Sequence, residues 1–211
     1  MRQKSGIFIK ICGLTRLADA VLASECGADA LGFIAYPKSP RFINASSVRR
    51  IVGNIPANVR KVAVFVNPEI DEVKEYVAAG VNVIQLHGDE TAEFAGKVAE
   101  FAEVWKAIRP EIGNDVLKYI YYPSDKFLID TFTGQAYGGT GKTADWGIAK
   151  FAVESLKKPV ILAGGLNSAN VADAVKSVHP YGIDVSSGVE SSPGVKEHVK
   201  LKAFFEEISE R

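Results

Sequence analysis

Cys12 and Asp130 invite chemistry because each stands directly after a short apolar run, Ile7 to Ile11 for the thiol and Phe127 to Ile129 for the carboxyl. As a thiolate, with its pKa drawn down from about 8.5, Cys12 can remove a proton. A carboxylic acid held protonated at Asp130 can donate one. The plain alternatives are a small buried apolar Cys12 and an ionised Asp130 that caps or accepts hydrogen bonds. Arg41, in Tyr36-Pro37-Lys38-Ser39-Pro40-Arg41-Phe42, either clamps a planar carboxylate with its guanidinium fork or is a solvated loop arginine. His87, in Gln85-Leu86-His87-Gly88, suits a structural hydrogen bond as well as it suits catalysis.

Two further runs end in glycine and serine: Gly164-Gly165-Leu166-Asn167 follows Val160 to Ala163, and Ser186-Ser187-Gly188 follows Ile183 to Val185. Glycine lets the backbone approach an oxyanion, and N–H groups at a short helix amino end add aligned donors, so the pair reads as a phosphate site. The alternative is a pair of tight turns. Gly141-Lys142-Thr143 resembles the end of a nucleotide-binding loop, but Ala136 occupies the position of the earlier glycine and no strand directly precedes it. Gly139, Gly141 and Ala144 fit a dinucleotide fingerprint with the same fault. A lid over the site, spanning Asp130 to Trp146, accounts better for these glycines, the alternative being a flexible surface loop.

Such groups converge only if the elements behind them share one mouth. Besides those already named, apolar runs occur at Ala30 to Ile34, Val62 to Val66, Val83 to Leu86 and Val104 to Ile108, making eight in 211 residues. Continuous apolar strands suit a parallel sheet buried on both faces, where alternation is lost. The segments between them are amphipathic. Leu17, Ala20, Val21 and Ser24 keep a helical period, as do Ala169, Val171, Val175 and Val178 after a cap at Asn167. The last helix is expected to turn Val195, Val199, Phe204, Phe205 and Ile208 inward, with Lys196, Lys200, Glu206 and Glu210 in water. Eight βα units predict a single (β/α)8 TIM barrel spanning residues 1–211, with an open doubly wound sheet as the runner-up. A barrel's active site lies at the carboxyl ends of its strands, where Gly13, Asn67, Arg109 and Thr131 also fall.

Twenty-five basic residues balance 25 acidic ones, so no net field favours nucleic acid or an anionic membrane, and a small-molecule partner is expected. No apolar run approaches the roughly 20 residues of a membrane span, and Met1 to Gly6 lacks a signal peptide's apolar stretch, so the expected location is the cytoplasm. The two cysteines, Cys12 and Cys26, make no disulfide framework and read as free thiols. His179 and His198 read as structural or solvent-facing, and no clustered His, Cys and carboxylate set suggests a metal. Nothing separates a monomer from a homodimer.

From end to end the chain resembles the phosphoribosylanthranilate isomerase family. The resemblance runs through Lys10-Ile11-Cys12-Gly13, Tyr36-Pro37-Lys38-Ser39 with Arg41, Gln85-Leu86-His87-Gly88, and Asp130-Thr131. It continues through Gly138 to Thr143 with Asp145-Trp146, Gly164 to Asn167, and Asp184 to Glu190 with Pro193-Gly194. Thr140 stands where the family often has serine. The resemblance implies a cofactor-free Amadori rearrangement of a phosphoribosylated anthranilate, with Asp130 as general acid and Cys12 as general base. It also implies that Arg41 holds the anthranilate carboxylate, and that the loops at Gly165 and at Ser187-Gly188 hold the phosphate.

Overall fold

The computed structural model describes residues 6–130 and 146–209. The lid expected over Asp130 to Trp146, with Thr131, Thr140 and the Gly141-Lys142-Thr143 motif, lies outside them apart from its two end residues, as does Glu210.

Eight parallel strands close into a barrel in sequence order: β1 (Phe8–Ile11), β2 (Ala30–Ile34), β3 (Arg60–Phe65), β4 (Val83–Leu86), β5 (Glu103–Ile108), β6 (Lys126–Ile129), β7 (Val160–Leu162) and β8 (Gly182–Val185). Closure runs through β1 and β8, where Lys10 is in register with Asp184 and Ile11 with Val185. The closed order excludes the open sheet. Helices α1 (Leu17–Cys26), α2 (Ala45–Val52), α3 (Ile70–Ala78), α4 (Ala92–Ala99), α5 (Gly113–Val116), α6 (Trp146–Ser155), α7 (Val171–Val178) and α8 (His198–Ser209) follow the strands. None of the described helices is long and apolar enough to cross a membrane.

Because side chains alternate along a strand, each one feeds two apolar layers. Ile9, Ile11, Leu31 and Phe33 face outward into the layer beneath the helices. Cys12, Val62, Val64, Val83, Trp105, Leu128 and Ile161 form the layer inside the barrel, with Phe8 against it. At the amino end the interior is closed by Trp105, which meets Phe8 edge-on at 5.8 Å and donates from Nε1 to Glu103 at 2.7 Å. The carboxyl end is left open to the cavity.

Three helical expectations need correction. In α1 the buried positions are Asp19, Ala20 and Ala23, while Leu17 is exposed. Asp19 is drawn inward because its carboxylate accepts from the backbone N–H of Lys196 at 3.0 Å. Helix α7 starts after Asn170, not Asn167, whose side chain accepts from the N–H of Ala169 two residues on and so makes a turn. Val195 and Lys196 do not belong to the last helix. They form β10 (Val195–Lys196), paired antiparallel with β9 (Glu190–Ser192), and α8 begins only at His198. That shift leaves Val199 74% exposed and buries Lys196, whereas Phe204, Phe205 and Ile208 pack inward as expected.

Candidate active site

One cavity opens at the carboxyl end of the barrel, lined by Cys12, Gln85, His87, Asp130, Gly164, Gly165, Asp184, Ser186 and Ser187 among others. Cys12, His87, Asp130, Gly164, Gly165 and Ser187, all expected from the sequence, therefore share one mouth, whereas Arg41 and Gly188 do not line it.

Cys12 follows β1, its N–H bonded to the Val185 carbonyl at 2.8 Å, which fixes the backbone beneath the thiol. The sulfur sits where Gly32 of β2 has no side chain; a Cβ there would lie 2.7 Å from Sγ. Gly13, at φ +74°, turns the chain away, and a Cβ on it would meet Arg41 Cδ at 2.7 Å and Ser186 Oγ at 2.8 Å. Burial pushes the Cys12 thiol up, and Asp184 adds to the rise. Lys10 is the largest opposing influence, and Lys196 helps it, but burial prevails and the thiol stands above its ordinary value, not below it as expected from the sequence. Lys196 donates to the Cys12 carbonyl at 2.6 Å and to Glu190 Oε1 at 2.8 Å, so this buried ammonium ties the loop after β1 to the β9–β10 hairpin.

Asp130 follows β6 across the barrel. Its Oδ2 lies 3.2 Å from His87 Nε2, and His87 Nδ1 lies 3.0 Å from Gln85 Nε2. With the amide donating to Nδ1, Nε2 is the ring nitrogen left to donate to Asp130. His87 thus braces the carboxyl through Gln85, a buried residue of β4. The loop that carries His87 is fixed by a buried carboxylate. Glu90 accepts from the backbone N–H of Asn67 at 2.9 Å and of Gly88 at 3.0 Å, and pairs with Lys106 Nζ at 2.7 Å.

Gly164 and Gly165 both adopt positive φ, 93° and 67°, so the backbone after β7 takes a path a side chain would resist. A Cβ on Gly188 would collide with the Leu166 carbonyl oxygen. Gly188 therefore contributes close approach of the loops after β7 and β8 instead of lining the cavity. Arg41 grips Glu190 from the side, with Nε 3.0 Å from Oε1 and Nη2 2.7 Å from Oε2. Burial pushes the Glu190 carboxyl up, but Arg41 and Lys196 overcome this and hold it below the ordinary value.

Gln85 Oε1, Asp184 Oδ1 and Ser186 Oγ are buried without a hydrogen-bond partner among the described residues, and all three residues line this cavity. Buried polar atoms without partners cost about 1–3 kcal/mol each, so a ligand with hydroxyl or N–H donors suits Gln85 Oε1 and Asp184 Oδ1, while Ser186 Oγ can donate or accept. Lys10, Gln85, Asp184, Glu190 and Lys196 were not singled out from sequence. The available signal was a lysine and a glutamine interrupting apolar strand runs, which buried strands tolerate only with a partner.

The profile of the family described as N-(5'phosphoribosyl)anthranilate (PRA) isomerase matches residues 9–207. An N-(5'-phosphoribosyl)anthranilate isomerase of Pseudomonas syringae is 42% identical over 207 residues, 97% of this chain and 98% of that protein. The crystal structure of phosphoribosyl anthranilate isomerase from Thermus thermophilus superposes with a TM-score of 0.89 at 36% identity, covering 97% of this chain and 99% of that one. A phosphoribosyl anthranilate isomerase in complex with reduced 1-(o-carboxyphenylamino)-1-deoxyribulose 5-phosphate superposes at 0.86 with 37% identity, covering 97% of this chain and 100% of that one.

Proposed function

The chain belongs to the N-(5'-phosphoribosyl)anthranilate isomerase family, aldose–ketose isomerases of tryptophan biosynthesis, and from this premise we propose that Cys12 and Asp130 divide the proton transfers of the reaction. The whole chain acts as one catalytic domain, in the cytoplasm. Asp130 gives its proton to the ribose ring oxygen as the C1–O bond breaks, and the anthranilate nitrogen lone pair forms the C1=N bond of a Schiff base. Cys12, as thiolate, removes the C2 proton, and the electrons of that bond form a C1=C2 enolamine while the nitrogen recovers its pair. The enolamine then gains a proton at C1 and loses one from the C2 hydroxyl, giving the ketone. One proton has left Asp130 and one has reached Cys12, so the resting state returns when solvent or product evens them.

The remaining groups hold the substrate. Arg41 uses Nε and Nη2 on Glu190, and its end-on edge of Nη1 and Nη2 meets the anthranilate carboxylate. The loops at Gly164-Gly165 and Ser187-Gly188 take the phosphate, and His87 steadies Asp130. The observation that carries this reading is the placement of Cys12 and Asp130 on the ends of β1 and β6, lining one cavity with the unpartnered atoms of Gln85, Asp184 and Ser186. Phosphoribosylanthranilate generated in solution and followed with and without the protein tests it. Conversion is expected only with protein, and binding without turnover would reduce the chain to a phosphate-ligand module.

A further inference from the structure

Lys10 is completely buried, an arrangement that proteins avoid unless the ammonium is paired. It sits two residues before Cys12 on β1, so the strand period turns both side chains to the barrel interior. Its Nζ is 2.9 Å from Asp184 Oδ2, and the ammonium interacts electrostatically with the Cys12 side chain inside the barrel. A buried ion pair of this kind gives little net stability over apolar residues of the same volume. Nor is the pair closed, because Asp184 Oδ1 has no partner among the described residues and Asp184 lines the cavity.

We propose that Lys10 is the counter-ion that offsets the cost of burying the Cys12 thiolate, the form that takes the proton, with Asp184 keeping the ammonium in place. The proposal rests on the reading of Cys12 as the base; Lys10 is a positioning residue that acts through it. Burial works against the charge on Lys10, but Asp184 and Cys12 overcome that and raise its pKa above the ordinary lysine value, which favours the ammonium. The charged and titratable groups around Cys12 are Lys10 from β1, Asp184 from β8 and Lys196 from β10, with Asp130 and His87 beyond Asp184. Among them Lys10 is the strongest influence toward the thiolate, and Asp184 opposes it.

The test uses full-length protein with Cys26→Ser, which leaves Cys12 as the single thiol to titrate. Thiolate absorbance in the ultraviolet and the pH profile of turnover are measured for Lys10→Met, Lys10→Arg and Lys10→Met with Asp184→Asn. Lys10→Met is expected to move both the thiol titration and the acid limb of the profile to higher pH together. Each unit of that shift removes about tenfold of the turnover on the acid limb, and raising the pH recovers it. Lys10→Arg should hold both near their wild-type positions. If Lys10→Met does not fold, because Asp184 is left as an uncompensated buried charge, the double variant is read instead; its shift is upward but smaller, since Asp184 no longer opposes. An unmoved titration and acid limb in the folded variant overturn the role of Lys10. Near-normal turnover in Cys12→Ala is a different failure, because it sinks the assignment of the base itself.

Discussion

Cys12→Ala, at the scale of single residues, is expected to fold and to keep phosphate binding while turnover falls about a hundredfold or more, as loss of a general base commonly causes. Steady-state kinetics beside inhibition by a product analogue reads both, and near-normal turnover would leave Cys12 a packing residue in the interior layer. Asp130→Asn keeps the hydrogen bond to His87 in size and shape but has no dissociable proton. Single-turnover chemistry at saturating substrate should therefore fall by orders of magnitude with little change in affinity. A chemical rate within severalfold of wild type would move the acid to another group. The place of both residues at the mouth of the barrel was legible in the sequence because each follows a strand. Lys10, Gln85 and Asp184 were harder to see. Strands buried on both faces read as continuous apolar runs, so their alternation does not say which residues face the interior, and the polar interruptions at Lys10 and Gln85 were the one cue.

Glycines decide how closely neighbouring elements approach, and two of them carry predictions. A Cβ at Gly32 of β2 would stand 2.7 Å from Cys12 Sγ and 3.1 Å from its Cα, just past the end of the adjacent strand β1. Gly32→Ala should thus push the sulfur off its position. Turnover should drop by tenfold or more, against an overpacking cost of only about 1–3 kcal/mol. Urea unfolding with parallel kinetics separates the two effects, and a variant destabilised but fully active per folded molecule would show that the thiol position is not critical. Gly188→Ala forces the loops after β7 and β8 apart at the Leu166 carbonyl, so its expected loss is in affinity for phosphorylated ligand. Inorganic phosphate competition should weaken in that variant, and unchanged competition would place the phosphate elsewhere. The element pattern itself was largely legible, down to β2 and β4 at their observed limits. The last helix was not. A periodic reading cannot see that Lys196 has main-chain and carboxylate partners 2.6 to 3.2 Å away, contributed by residues distant from it or in the preceding hairpin.

Closing eight strands brings the first, second and last units of the chain into contact, and one carboxylate joins all three. Glu190, after β8, holds Arg41 from the loop after β2 and Lys196 from the hairpin, and Lys196 in turn holds the Cys12 carbonyl after β1. The side chains of Glu190 and Lys196 are 4% and 0% exposed, so removing the carboxylate leaves a buried ammonium with neutral partners. Glu190→Gln is expected to cost about 3–5 kcal/mol at neutral pH, the range for breaking a buried pair from one side. The sign of its pH dependence follows from the depressed carboxyl. Glu190 binds its proton less readily folded than unfolded, so its contribution is complete above the ordinary value of 4.5 and is lost as pH falls through the lower folded value. Urea unfolding of wild type and Glu190→Gln should then give curves far apart at neutral pH that draw together below the ordinary carboxylate range. A gap that stays constant into acid would mean that the glutamine costs stability through shape alone. In that case the clamp would be a matter of packing, and the barrel seam between β1 and β8 would owe its hold to the backbone ladder from Phe8 to Ile11.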